Sequence, residues 1–259
     1  MDEIKEITAV LRRSAPLVAS ITNDVAMNLT ANALLAIGAS PVMFHAADEA
    51  AAVASAASSL VLNIGTLDNA QLDAMSLAAR VMNRRRCPVV FDPVGAGFTP
   101  YRDRACLRIL TDNHIDIIKG NASEILALAS RHCLDLPGAA DIVTKGVDTT
   151  ARAEAASDTA QMIAEKLSCV VVISGATDII TDGRRIERVA ISTEMMERVT
   201  AMGCTATVLV AAYAAVMTDY VAAATAGMTA MSLAGQRAAE RSAGPGSFLA
   251  SFLDNLYTL

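Results

Sequence analysis

CPVVFDPVGAG, residues 87–97, joins a short apolar run to a carboxylate, a proline and two glycines. A strand with one wet face alternates apolar and polar residues. VVF at 89–91 does not alternate, so both faces of this strand are covered, as in the middle of a parallel sheet. DPVGAG then closes the strand and turns the chain. Similar runs recur on either side: LVASIT (17–22), SPVMF (40–44), SLVLNIG (59–65), IDIIKG (115–120) and CVVVISG (169–175), separated by longer Ala-rich segments. That alternation predicts an α/β fold of parallel strands crossed by helices. DIITDGRRIERVA (178–190) differs, because two strand-like runs flank Asp182 and Gly183, the two-residue hairpin signal; it predicts an antiparallel edge. After residue 200 the strand signals stop, and helical patterns fill about 203–219, 221–239 and 246–257. No linker or repeat divides the 259 residues, which predicts one domain over 1–259.

Composition removes several function classes. A net charge of −6 argues against a general nucleic-acid surface, which needs clustered Lys and Arg. The one dense basic run, RRR at 84–86, reads as the solvated end of a helix. Five scattered cysteines without a C-x-x-C pair suggest neither a disulfide framework nor a structural zinc site, and fit a reducing cytoplasm. The opening MDEIKEITAVLRRSAP mixes acids and bases in a helical pattern, unlike a secretion signal. The apolar stretch 203–217 falls short of the ~20 residues that span a bilayer; with Asp219 following, it reads as a buried helix.

In open parallel sheets, ligands gather at the carboxyl ends of the strands. Five polar or glycine-bearing stretches fall there: TN (22–23), NIGT (63–66), DPVGAG (92–97), KGNASE (119–124) and SGATD (174–178). DPVGAG does not complete a dinucleotide fingerprint, and no Walker-type phosphate loop is present. Asn121 and Glu124 have the spacing of a capping box, and equally of a carboxylate placed to hold hydrated Mg²⁺. AMGC at 201–204 puts a thiol at the start of the apolar helix, where free N–H groups make an anion hole and the positive potential is expected to lower the thiol pKa. His45, His114 and His132 have no metal-ligand spacing. His45, after a strand, is the one that could face a ligand; the other two read as surface residues.

Taken in order, TNDVAMNLTANALLAIGASPVM, LVLNIGTL, PVVFDPVGAG, IKGNASEI, VVISGATDIITDG and AMGCTATV closely resemble hydroxyethylthiazole kinases of the thiamine salvage route. The resemblance covers roughly residues 15–250 and implies the ribokinase-like fold, a three-layer αβα arrangement with a mainly parallel sheet. It implies transfer of the ATP γ-phosphate to the hydroxyl of 4-methyl-5-(2-hydroxyethyl)thiazole with Mg²⁺, in a homotrimer whose thiazole sites lie at subunit interfaces. By the same resemblance Asn23, Met43, Gly65, Thr66 and Ala201 belong to the thiazole site. Lys119, Asn121 and Ser174 match ATP-binding positions, Asp92 and Glu124 match acidic positions associated with Mg²⁺ and phosphate, and Gly203 and Cys204 match the catalytic helix start.

The chain departs from the family pattern in three stretches. Ala201-Met202-Gly203-Cys204 stands where many relatives read G-T-G-C, Lys119 where arginine is common, and Ser174 where threonine is frequent. Lysine offers a point charge in place of a two-pronged donor. In the wider ribokinase-like group an aspartate usually holds the position of Cys204 and acts as base, so the thiol is either a modest base or a group that shapes the site. Rival readings are a kinase for another small alcohol such as hydroxymethylpyrimidine, a thiazole-binding regulator without catalysis, and a nicotinamide oxidoreductase. The last lacks its fingerprint.

Overall fold

A computed structural model describes residues 2–130, 133–136, 149–191 and 193–259. Ten helices and eight strands are found among them: α1 (Asp2–Ser14), β1 (Leu17–Ile21), α2 (Met27–Ile37), β2 (Ser40–Met43), α3 (Ala47–Ala56), β3 (Ser59–Asn63), α4 (Asn69–Arg85), β4 (Val89–Asp92), α5 (Pro100–Asp112), β5 (Ile117–Asn121), α6 (Ala122–Ala129), α7 (Thr149–Leu167), β6 (Val170–Ser174), β7 (Asp178–Thr181), β8 (Ile186–Val189), α8 (Met202–Ala214), α9 (Tyr220–Ala239) and α10 (Pro245–Tyr257). A 3₁₀ turn, Glu194–Arg198, precedes α8. One sheet holds every strand in the order β2-β1-β3-β4-β5-β6-β7-β8. Neighbours are parallel from β2 to β6, while β7 and β8 run antiparallel at the edge.

The unbroken apolar strands become intelligible in the packing. Successive residues of β3, Leu60, Val61 and Leu62, alternate between two hydrophobic cores, and Val89, Val90 and Phe91 of β4 do the same. One core joins the sheet to α3–α7, the other to α1, α2 and α8–α10. This period of two, with helices waiting on both sides, is the physical content of a three-layer αβα fold. Helix α8 lies against the second face and is buried along nearly its whole length. It is held close to α9, where a Cβ on Gly227 would come within 2.7 Å of the Val210 Cα. Among the described residues no helix is long and apolar enough to cross a membrane.

Two local readings need correction. The predicted two-residue hairpin at Asp182-Gly183 is a four-residue loop, since Thr181 pairs with Ile186. Asp182 Oδ1 accepts from the N–H groups of Arg184 and Arg185, and this side-chain turn replaces the tight backbone one. The helix predicted over 203–219 stops at Ala214, because Asp219 is the N-cap of α9 and takes the N–H groups of Val221 and Ala222. Arg85, in the basic run at the end of α4, also does more than face solvent: it donates to the carbonyls of Ala54 and Ala57 at the end of α3.

Candidate functional site

The first turn of α8 lies over the carboxyl ends of β1, β3, β4 and β5, and one hydrogen-bond network ties these elements together. Asn63, the last residue of β3, is its hub. Its Nδ2 donates to Asp92 Oδ2 (2.9 Å) and to Cys204 Sγ (3.2 Å), and its Oδ1 accepts from Asn23 Nδ2 (2.9 Å) and Gly65 N (2.9 Å). Asn23 Nδ2 also reaches Cys204 Sγ (3.3 Å). Thr207, one turn into α8, donates to Asp92 Oδ2 (2.7 Å). A Cβ at position 65 would lie 2.7 Å from Asn23, so the approach of these two loops requires glycine.

Charge in this network is nearly dry. Asp92 is 2% and Lys119 3% exposed. Burial raises the Asp92 pKa from 3.8 to about 6; Lys119 and the bonds from Thr207 and Asn63 oppose the rise, and Glu124 adds to it. Both recorded hydrogen bonds fall on Oδ2, so among the described residues Oδ1 takes none. Lys119 Nζ donates to the Gly203 carbonyl (3.1 Å) in the first turn of α8. The thiol of Cys204 behaves opposite to expectation. Burial, and then the neighbouring Asp92 carboxylate, push its pKa up to about 11 despite the two amide donors and Lys119. Desolvation outweighs the two amide donors and Lys119, and Cys204 is a neutral thiol at pH 7.

Glu124 is the N3 residue of a complete capping box: its Oε2 accepts from Asn121 N and Asn121 Oδ1 accepts from Glu124 N. Its other oxygen, Oε1, accepts from Gly95 N (2.9 Å), fastening α6 to the loop after Asp92. Among the described residues no three His, Cys, Asp or Glu side chains form a closed metal cage. Mg²⁺ does not need one, as it is usually held by one or two carboxylates, water and substrate phosphates. Asp92, with a free oxygen, fits direct ligation; Glu124, with both oxygens engaged, fits contact through water.

Beside this network opens a cleft of about 660 Å³ lined by Ser174, Gly175, Asp178, Met196, Ala201 and Gly203, among others. Ala201, the residue before α8, has φ 66°, ψ 8°, in the left-handed region where the side-chain methyl is strained. Ser174 Oγ donates to the Gly120 carbonyl at 3.4 Å. Of the remaining predicted residues, Thr66 Oγ1 accepts from Asp24 N, joining the loops after β1 and β3, and Met43 ends β2 next to β1. His45 stands off the network: its Nδ1 is 3.5 Å from Gln71 Nε2, and its Nε2 has no partner among the described residues. His114 is exposed, as read, and His132 lies outside the described residues.

With this geometry in view, the comparisons with known proteins are specific. Residues 8–259 match the model of the hydroxyethylthiazole kinase family. The chain belongs to this family. A hydroxyethylthiazole kinase from Nitratidesulfovibrio vulgaris (strain Miyazaki F) is 51% identical over 96% of this chain and 90% of its own. The solved hydroxyethylthiazole kinase of Pyrococcus horikoshii is 37% identical with a TM-score of 0.87, covering 100% of this chain and 94% of that one. A ribokinase-like superfamily protein from Enterococcus faecalis, 11% identical with a TM-score of 0.67 over 97% of this chain and 94% of its own, shares the fold.

Of the residues expected from the sequence of this thiazole-kinase family member, Asp92 and Cys204 share the Asn63 network, Lys119 reaches it through Gly203, and Glu124 holds Gly95; Asn63 and Thr207, their partners, and Asp178 were not among those expected. Asp178 accepts from Gly175 N, and burial raises its pKa to about 6 against that bond and Lys119. Asn63 and Asp178 lie within NIGT and SGATD, where strand-end position is the sequence signal that marks them. Thr207 lies in an apolar helix, where only the fold reveals what it faces.

Proposed function

We propose that this chain transfers the γ-phosphoryl group of ATP to the hydroxyl of 4-methyl-5-(2-hydroxyethyl)thiazole, the salvage step toward thiamine. Family membership along nearly the whole chain supports the reaction. The observation that carries the site is the Asn63 network, which joins Cys204, Asp92 and Gly65 within hydrogen-bond reach of one side chain. Asn23, Met43, Gly65, Thr66 and Ala201 bound the thiazole. Lys119, Asn121 and Ser174 serve ATP, whose nucleoside occupies the cleft beside Ala201 and Gly203. Asp92, with Glu124 through water, would hold Mg²⁺, which would neutralise phosphate charge.

Phosphoryl transfer in most analyses has a loose transition state, so positioning and charge neutralisation carry most of the catalysis. The N–H groups at Gly203 and Cys204, with the Lys119 ammonium behind them, receive the charge on the moving group. Cys204, kept neutral by burial, shapes the acceptor pocket and orients the hydroxyl. A thiol with its pKa near 11 is not a resting base. A single kinase domain is the reading that suits the described residues, whose two hydrophobic cores share the same strands. The assembly is a homotrimer with the thiazole site at the subunit interface; Val25 and Phe98, 61% and 84% exposed, follow β1 and β4 at the site end and suit such a contact. Five free cysteines suit the cytoplasm.

The test is ADP release from ATP and Mg²⁺ across a panel of acceptor alcohols. Selective turnover with the thiazole supports the reading; preference for the hydroxymethylpyrimidine, or binding without turnover, refutes it.

A further inference from the structure

The guanidinium of Arg102 points to a role outside the predicted site. Arg102 is the third residue of α5, whose first turn is capped by Thr99 Oγ1. Its side chain reaches back beneath two of the strand-end loops. Nη1 donates to the Ile64 carbonyl (2.6 Å) and to the Val94 carbonyl (2.6 Å), and Nη2 donates to the Gly65 carbonyl (2.8 Å). Among the described residues no carboxylate pairs with it, so its charge is spent on three backbone oxygens. The two loops it joins do different jobs in the proposed reaction. Ile64 and Gly65 belong to the loop beside the acceptor alcohol. Val94 belongs to the loop between Asp92 and Gly95, and Gly95 is in turn fixed by Glu124.

We infer that Arg102 is a positioning residue that locks the acceptor loop to the metal-and-phosphate loop, setting the separation between the alcohol oxygen and the transferred phosphorus. The inference rests on the phosphotransfer reading above. The fork geometry matters: one rigid guanidinium holds carbonyls from both loops at once, and each bond to a charged donor is stronger than a neutral one. The Gly65 peptide is gripped from both sides, by Asn63 on its N–H and by Arg102 on its carbonyl. Without Arg102 the loops keep the Asn63–Asp92 bond at their strand ends but lose the guanidinium that joins the Ile64 and Gly65 carbonyls to that of Val94. A misplacement of ~1 Å in a bound reactant can cost ~10²-fold in rate, so loss of this lock is a rate effect before it is a binding effect.

The experiment compares Arg102→Lys and Arg102→Ala with the parent enzyme, measuring thiazole phosphate and ADP separately at varied ATP and thiazole. If the parent makes no thiazole phosphate, the phosphotransfer reading fails and the variants are not needed to show it. With an active parent, Arg102→Ala is expected to lose ~10²-fold in kcat. The KM for ATP should stay within about twofold, because the nucleotide cleft does not touch Arg102; a shift of that size is worth under ~0.5 kcal/mol. ADP should form in excess of ester, as water replaces the misplaced alcohol, and added guanidinium ion should recover part of the lost rate. Arg102→Lys keeps a cation and the apolar stem, and serves if the alanine variant does not fold; it should lie between the two. A folded Arg102→Lys or Arg102→Ala protein with parental kcat overturns the inference. So does a loss that falls on the KM for ATP with ADP and ester still equal and no response to guanidinium.

Discussion

Replacing Asp92 by Asn should stabilise the protein while disabling it. The carboxyl group is buried at the end of β4 and its pKa is raised from 3.8 to about 6. A group raised in the folded state binds its proton more tightly there than in the unfolded chain, so stability falls as pH rises between about 4 and about 6. Above that window the folded state carries the full penalty. At ~1.4 kcal/mol per decade, the interval between 3.8 and about 6 amounts to roughly 3 kcal/mol at pH 7. Asparagine is a fair copy of the protonated acid: its amide oxygen can still accept from Asn63 Nδ2 and Thr207 Oγ1, the two bonds that Oδ2 receives now. The cost of charging the site disappears, and with it the ligand for Mg²⁺. Urea unfolding of the metal-free protein at several pH values is the assay. The variant should be more stable than the parent by up to ~3 kcal/mol at pH 7 and by about half that at pH 5, with the gap closing near pH 4. Kinase activity should fall sharply and its residual part should need more Mg²⁺. A variant less stable than the parent at pH 7, or a difference independent of pH, would refute the desolvation argument.

Individual contacts at Cys204, Gly227 and Ala201 set four further outcomes. Cys204→Ala should lower kcat by about tenfold, short of the ~10²–10⁴ expected for loss of a full general base, and Cys204→Asp should remain active because a carboxylate can accept from both Asn23 and Asn63; a parental rate in the alanine variant removes the thiol from the reaction. Gly227→Ala should destabilise by ~1–3 kcal/mol, since the new Cβ meets the Val210 backbone at 2.7–2.8 Å and neither helix can yield cheaply; urea midpoints read it directly. Ala201→Gly relieves a left-handed backbone at φ 66° and should raise stability by ~0.5–1 kcal/mol, the strain recovered exceeding the extra freedom of glycine in the unfolded chain; a lower melting temperature contradicts it.

Much of the fold was legible because burial on both faces leaves a direct mark: VVF at 89–91 and VVVIS at 170–174 could only be central strands. The antiparallel edge was legible from Asp182-Gly183, but its loop length was not, because an aspartate side chain can replace a backbone turn. At the site, strand-end position marked Asp92, Lys119 and Glu124. What the sequence could not carry was the balance of opposing effects. The start of α8 led to the expectation of a lowered thiol pKa at Cys204, yet burial beside Asp92 raises it, and burial is a tertiary property. Arg102 was invisible for a related reason. An arginine in an exposed-looking PYRDR helix start gives no sign that it will reach three carbonyls on two other loops.

The central claim is that the carboxyl ends of β1, β3, β4 and β5 and the start of α8 form one phosphoryl-transfer site for a thiazole alcohol. The direct measurement is mass spectrometry of a reaction containing the protein, Mg²⁺, 4-methyl-5-(2-hydroxyethyl)thiazole and ATP labelled with ¹⁸O on the non-bridging γ oxygens. The account predicts a thiazole phosphate ester that carries the label, formed in step with ADP and absent when Mg²⁺ is chelated. ADP without ester, or an ester that lacks the label, would contradict it.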